Sequence, residues 1–454
     1  MKKNLLKADV DLIHGPIFQS LVIFAIPLLI SNIFQQLYNT MDTMIVGNVL
    51  GDASLAAIGA CTSIYDLLVG FALGIGNGLA IVTARSFGSK DEKLLKKSVA
   101  GSIVIGIFVS LGVTLIGIFG LKPLLTLLKT PVEIFDEAYR YIFVIVLFTI
   151  VMFAYNLCAG LMRAIGNSVM PLIFLIVSSL LNIVLDLLFI TQFHLGVMGA
   201  AIATVIAQGI SVILCFIYMI NKTKLLIPSK EDFKYDAPLY KELLGQGFSM
   251  GFMSCIVSAG SVILQYGINK LGYLIIAGHT AARKIYMFFN MPFMAMGMAI
   301  STFVSQNKGA NQRDRIKKAL RIAYLYDVIM AGIVTLVIFL VGANLVKMIS
   351  GSSEAVVLNN GTMYLKVVGP FYAVLGVLMQ TRFALQGIGQ KLLPLISSVI
   401  EFLGKILFVV VFIPKFEYMA VIFCEPTIWC VMTLQLLYAF YTSPYIRGKE
   451  KSQA

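Results

Sequence analysis

Residues 169–191 read VMPLIFLIVSSLLNIVLDLLFIT, an apolar run whose single charged side chain is Asp186. The hydrocarbon core of a bilayer is about 30 Å thick, and an α-helix needs about 20 residues to cross it. A run of this length therefore predicts a helix that spans a membrane. The alternative of a membrane β-strand is excluded, because the run is too long and polar residues do not alternate with apolar ones.

Eleven further segments of the chain are apolar over a similar length. Of all residues, 59% are hydrophobic and 13% are charged, whereas soluble domains carry about 25% charged residues. The first apolar run lacks the cleavage site of a secretory signal, so we expect it to remain as the first span. The predicted limits are 17–40, 53–82, 97–120, 138–162, 169–191, 196–220, 242–268, 273–305, 318–343, 357–385, 392–413 and 418–442.

The formal net charge of +13 is spread between the apolar runs. This distribution argues against a nucleic-acid surface and in favour of membrane topology. With the N-terminus in the cytoplasm, 25 of the 35 Lys and Arg residues fall in cytoplasmic segments and seven in outer ones. Basic residues are enriched in cytoplasmic loops. We therefore predict an all-α membrane protein with twelve transmembrane helices and with both termini cytoplasmic.

The two halves of the chain are similar to one another. A shift of 221 residues places Leu50-Gly51 on Leu271-Gly272, and a shift of 223 places Pro171-Leu172-Ile173 on Pro394-Leu395-Ile396. Each half has six predicted spans. An even number of spans gives both halves the same orientation, related by an axis along the membrane normal. The sequence thus predicts two parallel-repeat six-helix bundles.

The predicted domain limits follow from this repeat and from one polar stretch. Residues 222–241 contain five Lys residues and two Pro residues, which is typical of a cytoplasmic linker. We expect an N-terminal six-helix lobe at 1–221 and a C-terminal six-helix lobe at 242–454. Two parallel bundles suit transport by alternating access.

Ionisable groups inside the spans are the main functional signal, because each costs about 2.5–3.5 kcal/mol at the bilayer centre. Asn182 and Asp186 are four residues apart and share one face of a helix. Asp42 ends a polar stretch of the first span, and Thr204 lies among small residues in the sixth. These oxygens could bind Na⁺, or two close carboxyl groups could hold a proton. The alternative is that Asn182 and Asp186 only join helices by hydrogen bonds.

The repeat indicates in which half such a site belongs. Asp42 falls on Ile263 under the 221 shift, and Asp186 falls on Val409 under the 223 shift. A purely architectural role would require polar residues in both halves. We therefore predict that the site belongs to the N-terminal half alone.

Other residues are weaker candidates. Glu401 and Lys405 are four residues apart, which predicts a helical ion pair with a structural or gating role. Polar residues of the first and fourth spans could form a substrate cavity or a gate. Residues near the start of the eighth span could contribute to it. An outer surface or a lipid-facing stripe would explain these eighth-span residues equally well. The candidates for the cavity or gate are Gln35, Tyr38, Tyr155, His279, Arg283 and Met287.

Several motifs of the chain resemble those of the multidrug and toxic compound extrusion (MATE) transporters. Each motif is only moderately specific, but their joint order and spacing cover nearly the whole chain. They are IP at 26–27, LYNTMDT at 37–43, VG at 46–47, GIGNG at 74–78, RAIGN at 163–167, Pro171, NIVLD at 182–186 and GAAIAT at 199–204.

The resemblance implies export of organic cations or amphipathic drugs in antiport with H⁺ or Na⁺. It also implies a cation site, with a possible Na⁺ ion, at Asp42, Asn182, Asp186 and Thr204, with Asn156 as a neighbour. No cofactor is expected besides the coupling ion. The expected partners are drug-like small molecules and the lipid bilayer, without nucleic acid, and the chain is expected to function as a monomer. The expected location is a bacterial cytoplasmic (plasma) membrane, with multiple spans.

Two other classes of protein, a flippase and an intramembrane enzyme, fit the sequence less well. A lipid-linked oligosaccharide flippase of related architecture would favour a broad cationic cavity, and only three basic residues, Arg283, Lys284 and Lys405, belong to neither the cytoplasmic nor the outer segments and their margins. An intramembrane enzyme would need a catalytic motif, and the sequence contains no helical HExxH and no GxSxG in a suitable setting. We therefore expect a transporter and no catalytic residues. Residues 243–268 of span 7 and residues 362–386 of span 10 contain no Asp or Glu, so an ion site of the kind that one branch of the family has there is not expected.

Overall fold

The computed structural model describes residues 9–449, and every regular element in this range is helical. Lys2, Lys3, Lys7 and Lys451, which contribute to the predicted orientation, lie outside the described residues. The helices are α1 Ile17–Leu50, α2 Asp52–Gly88, α3 Glu92–Leu127, α4 Val132–Leu147, α5 Thr149–Ala164, α6 Val169–Leu187, α7 Val197–Lys222, α8 Ala237–Asn269, α9 Tyr273–Gly309, α10 Arg313–Ser350, α11 Ala355–Gly387, α12 Leu392–Leu407, α13 Ile413–Thr442 and α14 Pro444–Arg447.

Three of the twelve predicted spans have an irregular form. The fourth span consists of α4 and α5, which meet at a bend of 49°. The last two spans form one helical run of 51 residues, Leu392–Thr442, which is more than twice the length that crosses a bilayer. This run contains a π-helical turn at Phe408–Phe412 and a non-helical backbone at Glu417, with φ 48° and ψ −130°. Counted in this way, the described residues form twelve spans, which confirms the predicted fold class.

The described residues form two compact units. The first, here called the N-unit, contains Ile26–Cys255 and the described residues before Pro16. The second, the C-unit, contains Pro16–Ala25 and the described residues from Ile256 onward. Compared with the predicted lobes at 1–221 and 242–454, the start of α1 groups with the C-unit and the first half of α8 groups with the N-unit. The predicted lobes as units of transport stay a prediction.

Glycines of α2 explain why the first half of α8 packs in the N-unit. A Cβ atom on Gly74 would lie 2.8 Å from the carbonyl oxygen of Met250, and one on Gly78 would lie 2.6 Å from that of Gln246. Both distances are shorter than van der Waals contact. The two helices therefore approach each other backbone to backbone, as small residues allow in membrane proteins.

Charged groups attach the predicted linker to the same unit. Lys97 Nζ lies 2.9 Å from Asp236 Oδ2, and Arg85 Nη1 lies 2.7 Å from Glu242 Oε1. The hydrogen bond from Lys97 lowers the pKa of Asp236 below its usual value. Two short 3₁₀ turns, Lys224–Leu226 and Lys230–Phe233, precede these contacts. The 222–241 stretch is thus structured by contacts with α2 and α3.

A substitution in α2 tests the close helix contact. We expect Gly78→Ala to destabilise the protein by about 1–3 kcal/mol, because a Cβ atom there would push against backbone that cannot relax locally. The measurement is the thermal unfolding midpoint in detergent. Gly70→Ala is the matched control in the same helix, since no atom lies within 4 Å of the added Cβ, and alanine favours the helix. Equal midpoints for the two variants would contradict this account.

Candidate ion and substrate site

The N-unit encloses a cavity of about 250 Å³ among α1, α2, α5, α6 and α7. The lining combines hydroxyl and amide groups with tyrosine rings. Six of the residues predicted from the sequence contribute to it: Gln35, Tyr38, Tyr155, Asn156, Asn182 and Thr204. The remaining lining residues are Tyr65, Leu73, Met152, Leu175, Ser178, Ser179, Ala207 and Gln208.

Asn182 joins this cavity to the buried acid behind it. In the amide orientation that satisfies both of its groups, its nitrogen donates to Asp186 Oδ2 at 2.8 Å. Its oxygen accepts from the backbone N–H of Thr204 at 3.1 Å and faces the Thr204 hydroxyl at 3.3 Å. These contacts fix the face of α6 against α7 and hold the Asp186 carboxyl group in one position.

Asp42 and Asp186 form the central pair of the site. The carboxyl groups of Asp42, from α1, and Asp186, from α6, are close enough to interact electrostatically. Asp186 is 0% exposed, and Oδ1 of each carboxyl group has no hydrogen-bond partner among the described residues. Two ionised carboxylates that are close together repel each other, so the pair is a candidate site for a proton or a cation. The set of carboxyl, amide and hydroxyl oxygens would also suit a hard cation such as Na⁺.

The other predicted residues of the N-unit have distinct positions. The Tyr38 hydroxyl lies 3.1 Å from Thr204 Oγ1, which connects the cavity wall to the acid pair through Asn182. Tyr155 donates to the carbonyl of Pro171 at 3.4 Å. Asn156 donates to a carbonyl of its own helix at 2.9 Å. Asn156 therefore forms part of the wall of the cavity.

Gln208 was missed by the sequence reasoning. It lines the cavity, and its buried Oε1 atom has no hydrogen-bond partner in the described part of the chain. The sequence did contain a signal, since Gln208 follows Thr204 by four residues and so shares its helix face.

The C-unit places the half-buried Arg283 in an ion pair with a buried acid. Its Nη1 atom lies 2.6 Å from Glu425 Oε2 and 3.2 Å from the Tyr364 hydroxyl. The guanidinium also stacks over the ring of Tyr286 at 4.6 Å. Glu425 was not among the predicted residues, although it is an acid within an apolar span and directly precedes Pro426.

The remaining candidates of the C-unit lie near this pair. His279 is buried, its Nδ1 atom lies 3.3 Å from the Tyr418 hydroxyl, and its ring meets Tyr364 edge-on at 5.0 Å. Met287 is 49% exposed, so its predicted place in a substrate cavity stays a prediction. The predicted ion pair of Glu401 and Lys405 is present, with Lys405 Nζ at 2.8 Å from Glu401 Oε1.

Twelve spans in two similar halves, with a polar cavity beside the buried Asp186, define the class of multi-pass membrane transporters. The MatE family model matches the chain twice, at residues 27–188 and 250–411, with starts 223 residues apart. Together the two matches cover more than half of the chain. The chain belongs to the MatE family, which comprises multidrug efflux transporters.

Curated proteins and solved structures agree with this assignment. The chain is 28% identical over 399 residues to the probable multidrug resistance protein YpnP of Bacillus subtilis, covering 86% of this chain and 87% of YpnP. It is 24% identical over 408 residues to the multidrug export protein MepA of Staphylococcus saprophyticus, covering 87% of each. A structure described as the outward-facing conformation of a multidrug resistance MATE family transporter superposes with a TM-score of 0.89 at 22% identity, over 98% of this chain and 99% of that one.

Substitutions in the C-unit test the ion pair between Arg283 and Glu425. We expect Arg283→Met to destabilise the protein by about 3–5 kcal/mol, because it leaves the buried Glu425 carboxylate without its closest cation. Adding Glu425→Gln to the same chain should recover much of this loss. Thermal unfolding midpoints of the two variants measure the coupling. Lys284→Met, a change at the exposed neighbouring residue, is the control, and a double variant no more stable than Arg283→Met would count against a direct ion pair.

Proposed function

We propose that this chain exports organic cations or amphipathic drugs in antiport with H⁺ or Na⁺ by alternating access. The observation that carries this proposal is the contact between the Asp42 and Asp186 carboxyl groups next to the polar cavity. The proposal extends the multidrug transport that the names of the relatives describe to this particular site.

The acid pair offers a physical basis for exchange. When a proton or Na⁺ binds between Asp42 and Asp186, it removes negative charge from the region next to the cavity. A cationic substrate then loses electrostatic attraction. When the ion leaves, the restored charge favours the substrate again. Tyr38, Tyr65 and Tyr155 line the same cavity, and tyrosine faces attract organic cations.

The role of Asn182 is to transmit this change to the cavity. It donates to Asp186 and faces Thr204, which in turn contacts Tyr38. Binding of an ion at Asp186 would compete for the same carboxylate oxygen. The hydrogen bonds of Asn182, Thr204 and Tyr38 would then rearrange, and the shape of the cavity would change with them. This chain of three contacts thus couples ion and substrate without direct contact between them.

The rival function of a lipid-linked oligosaccharide flippase is less well supported. Its pyrophosphate headgroup would require free cationic side chains. The candidate cations Arg283 and Lys405 are instead paired with Glu425 and Glu401. The relatives and structures described above are also named as multidrug transporters.

The remaining parts of the proposal concern the setting. The chain would act as a monomer in the cytoplasmic membrane of a bacterium, with both termini in the cytoplasm. Its partners would be drug-like small molecules and the bilayer, with no nucleic acid. It would use no cofactor besides the coupling ion and would catalyse no covalent reaction.

Neutral variants of the acid pair test the site. In inverted membrane vesicles, we expect Asp42→Asn and Asp186→Asn each to reduce gradient-driven uptake of a fluorescent organic cation at least tenfold. The reason is that replacing either acid by an amide removes one of the two carboxyl groups that together bind and release the coupling ion. Asp52→Asn makes the same chemical change at an exposed position of the N-unit and should leave uptake unchanged. Uptake at the wild-type rate in both site variants would sink the assignment.

Separate ion gradients identify the coupling ion. Inverted vesicles are loaded so that either the H⁺ or the Na⁺ concentration is higher in the lumen, and substrate is added outside. Because antiport moves the ion out of the lumen as substrate enters, we expect one of the two gradients to drive accumulation and its collapse by an ionophore to stop it. Accumulation driven by neither gradient would contradict the antiport mechanism.

A further inference from the structure

The burial patterns of corresponding helices align the two halves residue by residue. All ten buried residues of α7 fall on buried residues of α13 when the chain is shifted by 221. In α6 and α12, a shift of 223 places the buried Pro171 on the buried Pro394 and the buried Leu175 on the buried Ser398. Helices that bury the same positions have the same rotation in their bundles. The alignment therefore identifies structural counterparts.

The counterparts of the N-unit site are charged. In this alignment Thr204 corresponds to Glu425 and Asn182 corresponds to Lys405. Ser178, a lining residue of the N-unit cavity, corresponds to Glu401. Three neutral polar residues of the N-unit are thus replaced in the C-unit by two acids and one base.

These three charged residues contact one another. Lys405 Nζ lies 2.8 Å from Glu401 Oε1 and 4.0 Å from Glu425 Oε1. Lys405 is 2% exposed, so its ammonium group is held inside the unit. The stem of the lysine passes Gly260 of α8, where an added Cβ atom would lie 3.2 Å from Lys405 Cδ. The absence of a side chain at Gly260 gives the stem its room.

We propose that the Lys405 ammonium is a built-in cation at the C-unit counterpart of the ion site. Together with Arg283 it neutralises Glu401 and Glu425 permanently and thereby confines ion exchange to the N-unit. This inference rests on the proposed function, in which Asp42 and Asp186 bind an exchangeable cation. In the N-unit the positive charge must come from solution, whereas in the C-unit the chain supplies it.

The neighbouring charges make Lys405 the main partner of Glu401. Arg382 Nη2 is 3.9 Å from Glu401 Oε2, and Arg382 Nε donates instead to Ser397 Oγ at 3.1 Å. Glu425 has a second cation in Arg283 at 2.6 Å. Loss of Lys405 would therefore leave Glu401 as the less compensated acid. The charged and titratable groups around Lys405 are Arg283, Arg382, Glu401, Glu425, His279, Tyr286, Tyr364 and Cys424.

Chemical rescue tests whether a cation is needed at this place. We expect Lys405→Ala to lower the thermal unfolding midpoint of the purified protein in detergent by several degrees. n-Propylammonium should restore at least half of the shift, because it replaces the lost ammonium group, whereas n-propanol should not. Lys415→Ala, which removes an exposed lysine, should show neither the loss nor the rescue. Equal effects of the amine and the alcohol would overturn the proposal.

Transport measurements separate this role from a purely structural one. In inverted vesicles, Lys405→Ala should acquire a dependence on n-propylammonium or another small cation that the wild type lacks. Combining it with Glu401→Gln removes the acid that needs a cation, so the double variant should lose this dependence and recover its midpoint. Lys405→Met with wild-type midpoint and transport would show that the charge is dispensable and would overturn the proposal.

The two proposals fail in different experiments. Unimpaired transport by Asp42→Asn and Asp186→Asn, with intact amine rescue of Lys405→Ala, would sink the proposed N-unit site and with it the confinement of exchange. Loss of transport in those two variants, without amine rescue of Lys405→Ala, would overturn only the built-in cation.

Discussion

The N-unit brings two acids from distant parts of the chain together beside its polar cavity, and two such carboxylates repel each other unless a proton or a cation is bound. Asp42 and Asp186 come from α1 and α6, so the pair links two helices that are far apart in sequence. Asn182 holds one of the carboxyl groups from the side of the cavity. Because the desolvation cost of an unpaired buried charge is large, occupancy of the pair by a cation affects the stability of this helix arrangement directly.

The scaffold around the pair is held by close backbone contact more than by large side chains. Lipid provides little hydrophobic drive for helices to associate, so packing of small residues becomes important. Gly74 and Gly78 of α2 allow α8 to touch it, and the charged contacts of Lys97 and Arg85 fix the adjoining linker. A scaffold of this kind positions the cavity residues accurately, while polar contacts such as that of Tyr38 with Thr204 remain free to rearrange.

The sequence was sufficient for the features that depend on local pattern. Span number follows from the length of apolar runs, and Asn182 and Asp186 follow from helix periodicity within one such run. Features that depend on contacts distant in sequence could not be predicted. The bend between α4 and α5 has no proline or glycine at Phe148, and the grouping of early α8 with the N-unit depends on its partner α2. Glu425 was missed because its importance arises from Arg283, which is 142 residues away.

The most informative comparison is between the two halves of the same chain. Both bundles are needed as a scaffold, so their helices remain similar. Two identical ion sites, however, would bind two cations per cycle. The Asn182 and Thr204 positions remained neutral in one half, where the acid pair depends on a cation from solution. Their counterparts Lys405 and Glu425 provide opposite charges within the other half. The two units share a backbone arrangement but differ in charge. The N-unit can therefore respond to ions, whereas the C-unit keeps the same electrostatic state throughout the cycle.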